Sequence, residues 1–422
     1  MNVWVPNELQ RLKKVVIHRP GPEIDLMLPE NIEAFGENAN GELQSNPNYL
    51  LFDDLVLLSR LRSEHDDLVR ILQAACGSSN TLEFRSLLRA ILYTDAPRQQ
   101  IIDGIIEIEK ATWDHTINKR ERSLLLSLGP QDLERVLISG CHPNGTRILR
   151  WPAPNLLFAR DLAAVVGKNI LLTYARKPAR LREMLITRTL FEHHRDFEDA
   201  TLLDIGSMVK DPAIEGGDVM VLSEGRVAIG VGQRTNLESG QAAAQLLLAN
   251  GIQCVYLVEM QVARSTMHLD TVFTLVDEST CLAYSPLISE PGGVRITSVE
   301  QGKKPYQRAG SFLDVLREDG LHLHAIPCGG ADPIQQDREQ WSDGANAFAL
   351  APGKVILYAR NERTLERMNR SGFEVFHAND FCRNAQYLLQ DPARKVVVAI
   401  EGPELSRGRG GPRCLTMPLE RQ

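Results

Sequence analysis

Four short clusters in this 422-residue sequence carry a thiol, an imidazole and several carboxylates, the parts needed for nucleophilic displacement at a polarised carbon. The thiol is Cys414, closing the run Ser406-Arg407-Gly408-Arg409-Gly410-Gly411-Pro412-Arg413-Cys414. Three glycines let the backbone approach a ligand closely. Nearby cations favour the thiolate, which is the nucleophilic form. By itself the run reads equally well as a basic tail with an incidental cysteine.

The imidazole lies in Met267-His268-Leu269-Asp270-Thr271-Val272-Phe273. His268 and Asp270 are two apart, so on an extended strand they face the same side. A double glycine between two acids, Ile214-Glu215-Gly216-Gly217-Asp218-Val219, precedes an apolar strand. The fourth cluster is Asn155-Leu156-Leu157-Phe158-Ala159-Arg160-Asp161. An aspartate in a loop is ordinarily a cap or turn former, and a single histidine ordinarily structural. Taken together, the clusters supply a nucleophile, an acid/base and anchors for a cation. His268 and Asp270 could also be two metal ligands, but no HExxH or comparable third-ligand pattern accompanies them, so no metal is expected.

These clusters sit at turns or strand starts, and the surrounding elements must position them. Leu12–His18 reads as a strand ended by Pro20-Gly21. Residues 36–50, rich in Asn, Gly, Glu and Pro, read as a surface loop. A helix is expected from Asp53, with apolar positions at 55, 58, 61, 68, 69, 72 and 75 and a stop at Gly77. Residues 82–140 change texture. Leu87, Leu88, Ile91, Leu92, Ile101, Ile102, Ile105 and Ile106 recur at helical spacing and predict four to five helices. From Trp151 onward, strand-like runs (169–172, 219–222, 227–229, 272–275, 355–358, 396–400) alternate with helical stretches at 178–194, 239–250, 310–319 and 363–371. That pattern predicts a repetitive α/β body without fixing how it closes.

Composition narrows the classes further. At 43% hydrophobic and 24% charged, the chain is ordinary globular protein. A net charge of −7, with basic residues scattered, argues against nucleic acid as a partner. No apolar run is long enough to span a bilayer, and the start has no apolar signal segment. Seven cysteines without a CxxC suggest neither a disulfide framework nor a zinc site, and a cytoplasmic location is expected.

Six motifs in order closely resemble the arginine deiminases of the guanidine-modifying (pentein) superfamily. They are Asn155…Phe158-Ala-Arg160-Asp161, Glu215-Gly-Gly-Asp218, Gly232-Gln-Arg234-Thr235, Met267–Phe273, Arg338-Glu-Gln-Trp341-Ser-Asp343-Gly344-Ala-Asn346 and Arg409–Cys414. The resemblance implies an α/β fold, a five-bladed pentein propeller with an inserted helical domain. Its segments would be 1–81 for the first part of the propeller, 82–148 for the helical bundle and 149–422 for the remainder with the catalytic loop.

The same resemblance implies hydrolysis of L-arginine to L-citrulline and ammonia, with Cys414 as nucleophile and Glu215 and His268 as the proton shuttle. Asp161 and Asp270 would grip the guanidinium, and Arg180 and Arg234, with Asn155 beside them, would hold the α-carboxylate. Arg409 would approach as the loop closes, and Phe158 would pack on the aliphatic stem. Without the resemblance, Arg180 reads as a helix-surface ion pair with Glu183. No cofactor is implied, the partner is a small-molecule substrate, and a homo-oligomer is expected. An amidinotransferase of the same superfamily, or a non-catalytic arginine-binding protein, is the alternative.

Overall fold

The computed structural model describes residues 2–37 and 40–422. Among these, the strands form six sheets, and five share one plan. In each of the five an antiparallel pair is extended by a strand lying parallel to one of its members, and such a parallel pairing needs a crossover. Ala163–Val166 and Asn169–Leu172 form such a pair, joined by Thr201–Leu203 after the helix Leu181–His193. Val219–Ser223 and Arg226–Val231 are joined by Cys254–Glu259 after Leu237–Ala249, with Arg295–Glu300 and Tyr306–Arg308 widening that sheet to five strands. Phe273–Asp277 and Thr280–Ala283 are joined by His324–Pro327. Phe348–Ala351 and Lys354–Tyr358 are joined by Lys395–Ile400, which also carries Phe373–His377. The remaining sheet of this plan pairs Leu12–Ile17 with the last strand, Met417–Arg421, and with Thr81–Glu83.

The long helix before Thr81–Glu83 spans Leu58–Cys76, with Leu58, Leu61, Leu68, Ile71, Leu72 and Ala75 buried on one stripe. It stops at Gly77, whose φ of 92° suits glycine alone. The helix starts later than its apolar spacing from Asp53 suggests. Asp53 pairs with Arg264 and Asp54 with Arg407, and the Leu57 amide donates to Glu404. These contacts hold 53–57 out of helical geometry.

Four helices follow, Phe84–Ile91, Asp95–Trp113, Lys119–Ser127 and Pro130–Ser139. The third is capped by Asn118, which accepts from the Arg120 and Glu121 amides while Glu121 accepts in return from Asn118. Leu82 and Glu83 pair with Val16 and Ile17, and the first of these helices begins directly after them at Phe84. Its apolar faces (Leu88, Ile102, Ile105, Leu133) share one continuous core with Val16, Leu156 and Ile170 of the sheet body. Beneath that core Glu134 is fully buried and receives Arg85 and Arg89 at 2.5 and 2.7 Å.

One expectation is corrected here. Residues 36–50 are not all loop, because Phe35–Glu37 pairs antiparallel with Leu43–Ser45 in a short hairpin. Asn38 and Ala39, within that expected loop, lie outside the described residues. Phe35 and Leu43 project to solvent, so this hairpin has no buried face to advertise it in the sequence.

Glu134→Ala should lower the free energy of unfolding by about 2–4 kcal/mol, since it strips two guanidiniums of their buried counter-charge. Urea unfolding measures this, and a loss under about 0.5 kcal/mol would show the pair dispensable.

Candidate active site

The polar clusters occupy equivalent places in the five sheets, immediately ahead of one strand of the antiparallel pair. Asp161 lies in the one-turn 3-10 helix Ala159–Leu162 before Ala163–Val166. Glu215 precedes the turn Gly216–Asp218 that enters Val219–Ser223. His268 precedes the turn Leu269–Thr271, which holds Asp270, before Phe273–Asp277. Asn346 stands before Phe348–Ala351, and Cys414 before Met417–Arg421.

The double glycine is required by crowding. A Cβ on Gly216 would lie 2.1 Å from the Arg160 carbonyl oxygen, and one on Gly217 would lie 2.6 Å from His268 Nδ1. Gly217 N–H donates to Asp161 Oδ1 at 3.1 Å. Asp218, the acid after the glycines, is buried and positions its neighbours. Its two oxygens accept from the Leu269 amide at 2.9 Å and the Thr235 hydroxyl at 2.6 Å. Thr235 Oγ1 in turn accepts from the Glu215 amide at 3.3 Å. Burial pushes the Asp218 carboxyl up to about 7.

His268 Nε2 is 2.9 Å from Glu215 Oε2, and its Nδ1 is 3.8 Å from Asp161 Oδ1. Burial alone would lower the imidazole. The Asp161 charge, the Glu215 hydrogen bond and the Asp218 charge outweigh it and raise the group to about 9. Burial would raise Glu215, but Arg234 and His268 hold it well below the carboxylate range. Cys414 Sγ lies 3.8 and 4.0 Å from the Asp270 oxygens. Burial first, then Asp270, Asp343 and Asp161, drive the thiol well above its ordinary value, so without a ligand Cys414 is a neutral thiol. The loop arginines do not reverse this, because Arg413 is spent on acids.

Each carboxylate expected to grip a guanidinium already holds one from the chain itself. Arg180 Nη1 donates to Asp161, and its Nε reaches Glu183 at 2.8 Å. Thus Arg180 makes the ion pair with Glu183 that its spacing suggests, but fully buried rather than on a helix surface. Arg413 donates to Asp270 Oδ2 at 2.8 Å and to Glu8 at 3.0 and 3.1 Å. Arg234 Nη1 reaches Glu215 Oε2 at 3.2 Å. Asn155 donates to the Leu50 carbonyl, and Phe158 packs on Phe52 with ring centroids 5.7 Å apart. Arg409, a non-glycine residue at φ 66°, lays its guanidinium 3.7 Å over the Trp341 ring and donates to the Trp341 carbonyl.

All ten expected site residues therefore lie in one buried neighbourhood. Asn155, Phe158, Asp161, Arg180, Arg234, His268, Arg409 and Cys414 line a cavity of about 20 Å³, roughly one water's space. Glu215 and Asp270 stand behind it through His268 and Cys414. Leu51, Arg234 and Arg264 also line a neighbouring outer cavity of about 500 Å³. Asp161, Glu215 and His268 could between them offer three metal-ligand atoms. Arg180 and Arg234 lie on the same carboxylates, and their charge opposes a second cation there. The residues alone did not mark Asp218 and Thr235 as supports, Glu8 as a counter-charge, or Arg413 as a partner of Asp270. Arg413 and Asp218 lay inside recognised motifs, whereas nothing local marks Glu8.

A family model for arginine deiminase matches residues 142–421. Arginine deiminases of Listeria welshimeri and Bacillus cereus are 31% and 30% identical over 441 and 446 aligned residues, covering 99% and 100% of this chain and 98% of each relative. A solved dimethylarginine dimethylaminohydrolase, an adduct with S-methyl-L-thiocitrulline, shares the α/β fold at 14% identity, with TM-score 0.51 over 96% of this chain and 99% of that one. The chain belongs to the arginine deiminase family.

The raised His268 makes a stability prediction. A folded pKa of about 9, above an unfolded value of about 6.5, stabilises fully below pH 6.5 and less as pH rises through 9. The melting temperature of wild type relative to His268→Gln should therefore decline between about pH 6.5 and 9. A flat difference across that window would show the imidazole unperturbed.

Proposed function

We propose that this protein hydrolyses the guanidinium of L-arginine to L-citrulline and ammonia through a covalent intermediate on Cys414. The observation that carries the reading is the convergence of Cys414, His268, Glu215, Asp161 and Asp270 around one closed cavity, with His268 raised to about 9.

Arginine's guanidinium is always protonated, so a buried site must meet it with carboxylates. Asp161 and Asp270 take the planar group in bidentate hydrogen bonds, the fork geometry carboxylates suit. To do so they release or share Arg180 and Arg413, so substrate binding is an exchange of one guanidinium for another. Arg180 and Arg234, with Asn155, receive the α-carboxylate, Phe158 covers the stem, and Arg409 closes over the site. The incoming cation also offsets the negative surroundings that keep Cys414 a thiol. Substrate thereby helps to ionise its own nucleophile.

As substrate binds, Cys414 gives its proton to solvent, to be regained from the second adduct's hydroxyl when the C–S bond breaks. The thiolate attacks the guanidinium carbon to form a tetrahedral adduct. Protonated His268 gives its proton to the departing nitrogen, the C–N bond breaks, and ammonia and a thiouronium remain. Neutral His268 then takes a proton from water, the resulting hydroxide adds to the carbon, and C–S cleavage releases citrulline. Splitting the displacement lets one imidazole act as acid and then base. Glu215 holds that imidazole and stabilises its charged form.

Around this site we read the five sheets of common plan as the five blades of a propeller, with 82–148 as an inserted helical domain between 1–81 and 149–422. Both chain ends meeting in one sheet supports closure of such a ring. The reading extends to a cytoplasmic homo-oligomer.

Purified protein given arginine should form one citrulline and one ammonia per arginine, independent of added glycine. Cys414→Ser should cut turnover at least about a thousandfold with the fold retained. Ornithine release, with guanidino label passing from arginine to glycine, would overturn the hydrolase in favour of an amidinotransferase.

A further inference from the structure

Of the five positions ahead of a strand of each antiparallel pair, four carry the residues given chemical roles above. The fifth, on the sheet that starts at Phe348–Ala351, is Asn346. It is fully buried, and its side chain touches two segments of the site at once. The Oδ1 accepts from the Arg413 amide at 3.0 Å and the Cys414 amide at 3.3 Å. The Nδ2 donates to the Asp270 carbonyl at 3.0 Å. Two N–H donors on one side and a C=O on the other fix the orientation of the carboxamide, since a flip would set like against like.

We propose that Asn346 is a positioning residue whose carboxamide ties the main chain at Cys414 to the main chain at Asp270, setting the thiol's place against the carboxylate that grips the substrate. The inference rests on the reading of Cys414 as nucleophile. Only a primary amide serves here, because one group must accept from two amides and donate to a carbonyl. Aspartate would present oxygen to the Asp270 carbonyl, and alanine would leave buried polar groups unpaired.

The backbone around this amide is shaped to hold it. Asp343, at φ 63°, turns the chain, and its carbonyl accepts from the Asn346 amide at 3.0 Å. On the other side, Gly411 lies so close that a Cβ there would stand 2.6 Å from Asn346 Cβ and Oδ1. The glycine in the catalytic loop is thus required by the amide it rests on.

Three variants test this, namely Asn346→Ala, Asn346→Asp and Gly411→Ala, the last keeping the amide but displacing it. Arginine turnover is measured beside the iodoacetamide alkylation rate of Cys414 as a function of pH, followed by peptide mass spectrometry. We expect each variant to lower kcat at least about tenfold, with KM for arginine within about threefold. In Asn346→Asp the alkylation midpoint should move to higher pH, because a new negative charge stands against the Cys414 main chain. Alkylation needs no turnover, so it speaks to positioning even if wild type forms no citrulline, a result that would instead sink the proposed reaction. Unchanged kcat in the folded variants overturns the proposal. So does a wild-type alkylation profile accompanied only by a lower melting temperature, since that is the mark of a merely structural amide. Should Asn346→Ala fail to fold, the near-isosteric Asn346→Asp and Gly411→Ala decide the matter by the same two readouts.

Discussion

Buried charge compensation holds the middle of this protein together. Glu8, Asp161, Glu183, Glu215 and Asp270 all lie within the body, where an unpaired carboxylate would be very costly. Arg180, Arg234 and Arg413 lie among them, each reaching carboxylates on other elements of the fold. The positions of the strands' leading turns are therefore set by ion pairing as much as by apolar packing. The same carboxylates that need these arginines for stability are the ones a guanidinium substrate would need. On the proposed reading stability and binding draw on one set of acids, and the small cavity lies among them.

The repeated plan explains how so many polar groups can converge without disrupting a core. Each of the five sheets buries an apolar strand and carries its polar site residue, itself buried, in the turn ahead of it. Backbone amides of those turns are satisfied by side chains from neighbouring turns. Asp218 receives the Leu269 amide, Asp161 the Gly217 amide, and Asn346 the Cys414 amide. Side-chain acceptors thus replace the ladder bonds that a turn lacks, and each binds the turn of a different sheet.

What could be read in the chain depended on whether a signal was local. Apolar spacing marked Leu58–Cys76 and the four helices from Phe84 to Ser139, and β-branched runs marked Val219–Ser223 and Lys395–Ile400, because burial of one face imposes a period. Strands such as Cys254–Glu259 and the helix Ala378–Gln390 went unrecognised, the first because turn residues stand only ahead of it, at Asn250-Gly251, with none at its far end, and the second for its mixed surface. The site was legible as residue types, since His268, Glu215 and Cys414 stood out by their neighbours. Their present partners were not. Arg413 meets Glu8 across 405 positions of chain, and no window of sequence contains both. The start of the long helix was misjudged for a similar reason, as Asp53 and Asp54 answer to Arg264 and Arg407 rather than to their own segment.

The pairing of Leu12–Ile17 with Met417–Arg421 bears on how the protein is made. The strand beside the thiol finds its place against a segment hundreds of positions earlier, a contact whose loop contains the other sheets. Such closure carries a large entropic cost and comes late in assembly. A nascent chain can order its interior sheets on the ribosome while its thiol is still unmade. On the proposed reading the thiol is withheld until Met417–Arg421 pairs with Leu12–Ile17, so one strand pairing both closes that sheet and seats the nucleophile.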